Sequence, residues 1–135
     1  PAPRRGRILV IDDEAFVAEA IRRALERFHS VSVVASATDA LAEMSRRSFD
    51  LILCDVMLPG VSGIDLYEQL AHRGPDQAER VIFITGGAFT TRARDFLESV
   101  SNTCLDKPFE PAQLLSLVDQ KLAEWGPASR GGLSA

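Results

Sequence analysis

Cysteine is scarce in this 135-residue chain, with Cys54 and Cys104 its whole complement. Two thiols make no disulfide framework and suit a reducing compartment. Basic residues are outnumbered, 15 Lys and Arg against 19 Asp and Glu, for a net charge of −4. That balance argues against a general nucleic-acid binder, which needs a basic face to displace counterions from phosphate. No apolar run approaches the roughly 20 residues that cross a bilayer. The start is no signal peptide either, because the apolar run after the basic stretch Pro1 to Arg7 is only Ile8 to Ile11. The expected address is therefore the cytoplasm, without direct membrane contact, although a longer parent chain could itself be membrane-anchored. Internal repeats and low-complexity core segments are absent. The first residue is proline rather than methionine, which reads as processing or excision from a longer protein. Residues 1–6 read as a linker or arm, 7–125 as one domain, and 126–135 as a flexible tail. A domain of this length buries a sizeable core without metals or disulfides.

What is present is a short apolar run followed by a helical pattern, five times over. The runs are Arg7–Ile11, Ser32–Ala35, Leu51–Cys54, Val81–Ile84 and, more weakly, Thr103–Leu105. Three are continuous and rich in Val, Ile and Leu, as strands buried on both faces of a parallel sheet must be. Between them, helical spacing groups Phe16, Ala20, Leu25 and Phe28, then Leu41 and Met44 behind a cap at Thr38 or Asp39. Ile64, Leu66, Tyr67 and Leu70 mark the third helix, and Phe89, Ala93, Phe96 and Leu97 the fourth. Leu114, Leu117, Val118 and Leu122 mark the last, with Pro111 in its first turn and Trp125 packing at its end. Alternating units of this kind, joined by right-handed crossovers, predict an α/β doubly wound parallel sheet.

In such sheets the working site lies beyond the C-terminal ends of the strands. Asp12, Asp13 and Glu14 follow the first run, Asp55 the third, Thr85 and Gly86 the fourth, and Lys107 and Pro108 the fifth. Carboxylates a few ångströms apart repel and must protonate or share a cation. Hard oxygen ligands suit Mg²⁺, which takes one or two carboxylates plus substrate phosphate. A remaining aspartate can attack phosphorus to give an aspartyl phosphate, with Lys and Thr neutralising and hydrogen-bonding the added oxygens. Singly, each piece has a plainer reading. The acidic run could be a helix N-terminus favouring the dipole, Asp55 the start of a turn, and Lys107-Pro108 only a loop. Together they read as Mg²⁺-assisted phosphoryl transfer onto a carboxylate.

Ile8-Leu-Val-Ile-Asp-Asp-Glu14, Asp55-Val-Met-Leu-Pro-Gly-Val-Ser-Gly63, Ile84-Thr-Gly86 and Lys107-Pro-Phe109 together resemble the receiver domain of two-component response regulators. The likeness spans residues 7 to about 124. It implies a five-stranded flavodoxin-like (βα)5 fold with strand order 2-1-3-4-5. It also implies that Asp55 accepts a phosphoryl group from a histidine kinase or a histidine phosphotransfer protein. By the same likeness, Asp12, Asp13, Asp55 and the backbone carbonyl of Met57 hold Mg²⁺. Thr85 is the switch hydroxyl, Gly86 the small residue that leaves it room, Lys107 the ion-pairing lysine, and Lys107–Pro108 a cis peptide. Such a domain is not an enzyme by itself, though it assists its own phosphorylation and dephosphorylation.

The chain departs from that pattern at Cys104, where the family commonly has an aromatic, and at Val100-Ser101 in place of a Gly-Ala pair. The helix entered through Gly86-Gly87 and the stretch Ser101–Phe109 resemble receivers at the C-terminal ends of hybrid sensor histidine kinases. Cys104 is too small to cover the face that the aromatic serves, which implies a monomer with a mainly local response. The alternatives are a stand-alone response regulator acting by protein contact and, more remotely, an aspartate-nucleophile phosphatase. The phosphatases carry Asp-x-Asp after the first strand, whereas Asp12 and Asp13 are adjacent. Gly86-Gly87 lacks the spacing of a dinucleotide fingerprint. His29 and His72 are expected to be solvated, and Cys54 to lie in the core. A sheet in that order puts a strand between Cys54 and Cys104, separating their backbones by about 10 Å. A disulfide tolerates only about 7 Å.

Overall fold

The computed structural model describes residues 5–86, 90–129 and 132–133. Five parallel strands, β1 (Arg7–Ile11), β2 (Ser30–Val34), β3 (Leu51–Asp55), β4 (Val81–Thr85) and β5 (Cys104–Asp106), form one sheet in the order β2-β1-β3-β4-β5. The α/β doubly wound topology is the expected one. Strand limits differ slightly: β2 begins two residues earlier than its apolar run, and Asp55 and Thr85 close their strands rather than following them.

Alternation along β1 divides the core. Ile8 and Val10 face one layer, with Leu51, Leu53, Ile82 and Ile84, and Leu9 and Ile11 face the other, with Ile52, Cys54 and Phe83. Helices α1 (Ala15–Leu25) and α6 (Pro111–Trp125) cover the first layer through Ile21, Leu25, Leu114, Val118 and Leu122. Helices α2 (Ala37–Arg46), α3 (Gly63–Arg73) and α5 (Thr91–Ser99) cover the second. The one-turn α4 (Pro75–Ala78) contributes Gln77, whose buried amide exchanges two hydrogen bonds with the backbone of Phe49. Tyr67, Phe83 and Phe96 meet with ring centroids 5.3–5.6 Å apart, so α3 and α5 share one aromatic contact over β4.

Several local expectations change. The cap of α2 is Ser36, whose hydroxyl accepts from the Asp39 amide; it outranks Thr38 and Asp39 because it alone has extended backbone at that end. Phe16 is 93% exposed rather than part of the α1 stripe, because the buried face of α1 runs through Ala18, Ile21 and Leu25. Phe28 is also exposed, past the end of α1, with the Arg27 guanidinium over its ring. His29, expected in solvent, is buried. Its Nδ1 accepts from the Gly6 amide at 3.0 Å, so the proton sits on Nε2, which donates to Asp119 at 2.9 Å. That carboxylate comes from α6, ninety residues away in sequence. His72 is exposed, as expected.

The described part of the stretch expected as a flexible tail folds back on the N-terminal ends of the strands. Arg80 donates to the carbonyls of Trp125, Gly126 and Pro127, and the Ala128 amide donates to Asp50. Leu133 packs against the second-layer core, and its amide donates to Met44. Phe89 and Gly87, read as part of the fourth helix and its entry, lie outside the described residues. No helix among the described residues is long and apolar enough to cross a membrane.

The loop from β3 to α3 is fixed by Ser62, which forms a reciprocal capping box with Asp65, and by Gly63. A Cβ on Gly63 would lie 2.6 Å from the Asp55 carbonyl and 3.0 Å from Val56 Cα, both backbone. A Cβ on Gly86 would meet nothing within 4 Å. Gly63→Ala should therefore cost about 1–3 kcal/mol through overpacking, while Gly86→Ala should stay within about 0.5 kcal/mol of the parent. Thermal melts of the two variants check this; equal melting temperatures would contradict the close approach.

Candidate functional site

The C-terminal ends of β1, β3, β4 and β5 bring together the residues that the strand-end argument singled out. Asp12 follows β1 and is 2% exposed; Asp55 closes β3 at 4% and Thr85 closes β4 at 3%. Asp13 is exposed. One carboxylate oxygen from each of Asp12, Asp13 and Asp55 lies within 4.8 Å of the others. The Lys107 ammonium, just past β5, stands 3.1 Å from Glu14, 3.3 Å from Asp55 and 3.4 Å from Asp12. The Lys107–Pro108 peptide is cis.

Backbone geometry orients the acids. The Glu14 amide donates to Asp12 Oδ1 at 2.9 Å, and the Met57 amide donates to Asp55 Oδ1 at 2.9 Å. That contact carries the backbone of Met57 to the rim of the acidic group, while its side chain is exposed. Asp12 Oδ2 is buried and has no hydrogen-bond partner; Lys107 faces it at ion-pair distance but without hydrogen-bond alignment. Burial, with the nearby Asp55 charge adding to it, raises the pKa of Asp12 even though the Glu14 amide and Lys107 oppose the rise. Burial works against the charge on Lys107, yet Glu14, Asp55 and Asp12 outweigh it and raise its pKa. The cluster is thus short of positive charge, and an orphaned buried carboxylate oxygen among hard ligands fits a small divalent cation.

Two residues join the site without having been given a role in it. Glu14 is a partner of Lys107, and Asp106 accepts the Thr85 hydroxyl at 2.5 Å. For Asp106 the signal was its place on the working edge, immediately before Lys107. Gly86 is exposed and opens onto free space. Cys104 is exposed on the edge strand, in register with Phe83. Cys54 is buried, which pushes its thiol pKa up, and β4 separates the two cysteines.

A family model for the response regulator receiver domain matches residues 8–119. The chain belongs to that family. The receiver is 35% identical over 120 residues to the DNA-binding response regulator MtrA of Mycobacterium tuberculosis, a match covering 87% of this chain and 51% of that protein. It is 31% identical over 123 residues to the transcriptional regulatory protein YkoG of Bacillus subtilis, covering 90% and 53%. The chain thus spans about half the length of these curated relatives. Among solved structures, a response regulator receiver domain protein from Methanospirillum hungatei aligns with a TM-score of 0.79 and 28% identity, over 90% of this chain and 97% of that one. A Francisella response regulator receiver domain aligns with a TM-score of 0.74 and 25% identity, over 89% and 98%. The DNA binding named for MtrA is a property of the whole relative, so the acidic composition of this receiver bears only on its own stretch.

The raised pKa of Asp12 has a consequence for stability. A carboxyl whose folded pKa lies above its unfolded value makes the fold less stable as pH rises through that interval, and the loss is complete above it. Asp12→Asn should therefore melt higher than the parent at pH 7 without metal, by on the order of 1 kcal/mol, about 3–4 °C. The gap should narrow as pH falls toward 4. Parallel melts across pH test it; a variant that melts lower at pH 7 would show that the Asp12 charge stabilises the fold.

Proposed function

We propose that this receiver takes a phosphoryl group onto Asp55 from the phosphohistidine of a histidine kinase or a histidine phosphotransfer protein, with Mg²⁺ bound beside it. The observation that carries the reading is the cluster of buried Asp12 and Asp55 with exposed Asp13 around a single ammonium, with Asp12 Oδ2 left without a hydrogen bond. Asp12, Asp13, Asp55 and the backbone carbonyl of Met57 would hold the ion. Bound there, Mg²⁺ supplies positive charge that lets an anionic phosphoryl group approach anionic Asp55.

A carboxylate oxygen of Asp55 attacks phosphorus as the phosphorus–nitrogen bond to the donor histidine breaks, and the electron pair returns to the imidazole nitrogen. The product is an acyl phosphate on Asp55. The Met57 amide holds the carboxylate at Oδ1 and so fixes which face it presents. Lys107, already within ion-pair distance of Asp55, exchanges part of its carboxylate pairing for the new phosphoryl oxygens. Thr85 can donate its hydroxyl hydrogen to the same group. No turnover of an external substrate follows, so the isolated domain is not an enzyme beyond assisting its own phosphorylation and dephosphorylation.

The stretch Ser101–Phe109 supports a parent chain of the hybrid sensor histidine kinase type, in the cytoplasm or on a membrane-anchored parent. The kinship with transcriptional regulators supports a response-regulator parent instead, and the alternative of a stand-alone regulator acting by protein contact stays beside it. The complete reading frame separates them. Cys104 in place of an aromatic supports a monomer whose response stays near Asp55, Thr85 and the loop from Met57 to Gly63. A domain that hands phosphate back to a histidine needs no nucleic-acid or membrane contact of its own.

With acetyl phosphate and Mg²⁺, intact mass spectrometry should show the wild type gaining one phosphoryl group and Asp55→Asn gaining none. An equal gain in the variant would overturn the assignment of Asp55.

A further inference from the structure

Thr85 and Asp106 are register partners at the ends of β4 and β5, and the Lys107 amide donates to the Thr85 carbonyl at 2.7 Å. The two backbones are therefore locked side by side. Across this pair the buried Thr85 hydroxyl reaches Asp106 Oδ1 at 2.5 Å. An ionised carboxylate only accepts, so the hydroxyl must be the donor. A hydroxyl has one hydrogen. While it is given to Asp106 it cannot be given to anything attached to Asp55.

We propose that Asp106 is a positioning residue that holds the Thr85 hydroxyl in the resting arrangement and so sets how readily the site switches when a phosphoryl group arrives. This rests on the reading that Asp55 carries the phosphoryl group. Asp106 touches no reacting atom and acts through Thr85. The phosphoryl oxygens and the Asp106 carboxylate compete for the same hydrogen, and the difference between those two bonds biases the two states. Asp106 is exposed, so the Thr85 hydroxyl can be released by its acceptor without leaving a buried carboxylate unpaired.

Beryllofluoride with Mg²⁺ serves as the phosphoryl stand-in, titrated into the full chain and followed by amide and methyl NMR. Asp106→Ala should bind it about tenfold more tightly than wild type, the scale of one net hydrogen bond to a charged group. Asp106→Asn, which keeps an acceptor, should fall between. Removing a nearby negative charge would also tighten binding, so the same substitution is made in a Thr85→Val background, where the gain should vanish. The Thr85 methyl shift should change on Asp106→Ala before any ligand is added. An equal gain in both backgrounds, or an unmoved Thr85 methyl, would overturn the proposal and leave the Asp55 reading standing. If wild type binds no beryllofluoride while folded, the Asp55 reading falls and takes this one with it. If Asp106→Ala does not fold, the Asn variant carries the same comparison, and its failure to differ from wild type counts against the proposal.

Discussion

Mutual repulsion among three carboxylates is the constraint around which this domain is arranged. Asp12, Asp13 and Asp55 place oxygens within 4.8 Å of one another, and two of the three residues are buried. In partly desolvated surroundings such a group costs free energy unless cations or protons offset it. Here the protein supplies one ammonium, Lys107, and two backbone amides, from Glu14 and Met57. That leaves Asp12 Oδ2 without a hydrogen-bond partner, and burial, with the Asp55 charge, raises the pKa of Asp12 against their pull. The resting site is incomplete by design of its charges: it tolerates strain that a divalent cation relieves. Stability is conceded where ligand binding recovers it.

The fold makes this affordable by keeping the repulsive group at the sheet edge and the apolar mass below it. Apart from the exposed Arg7 that opens β1, strands β1, β3 and β4 are buried along their lengths, with the polar site residues at their last positions or just beyond. Each loop then has one task. The short turn after β1 carries the acidic pair, the capping box and Gly63 fix the loop after β3, and the pairing of β4 with β5 brings Lys107 over the acids. The Asp106–Thr85 bond belongs to the same pairing, which ties the hydroxyl to the strand that also delivers the lysine.

Much of this was legible in the residues. Continuous apolar runs announced strands covered on both faces, and the acids, hydroxyl and ammonium stood at the ends of those runs, so Asp12, Asp13, Asp55, Thr85 and Lys107 could be grouped before any geometry was known. What escaped depended on contacts between distant segments. His29 looks like a solvated loop residue until Asp119 on α6 and the Gly6 amide enclose it. Phe16 fits a helical spacing in α1, but the pattern does not reveal that the buried face runs instead through Ala18, Ile21 and Leu25. The stretch after Trp125 has a tail's composition, yet Arg80 and Asp50 supply partners for its backbone. Asp106 was visible in the sequence, but its role depends on lying beside Thr85 rather than following it.

The claim that the carboxylate cluster is built for a cation is tested most directly by titrating Mg²⁺ into the protein and following backbone amide shifts. Saturable shifts should concentrate at Asp12–Glu14, Asp55–Met57 and Lys107, and Asp13→Ala should abolish them in a variant that keeps the wild-type spectrum elsewhere. Shifts that fail to saturate, or that persist unchanged in the variant, would contradict it.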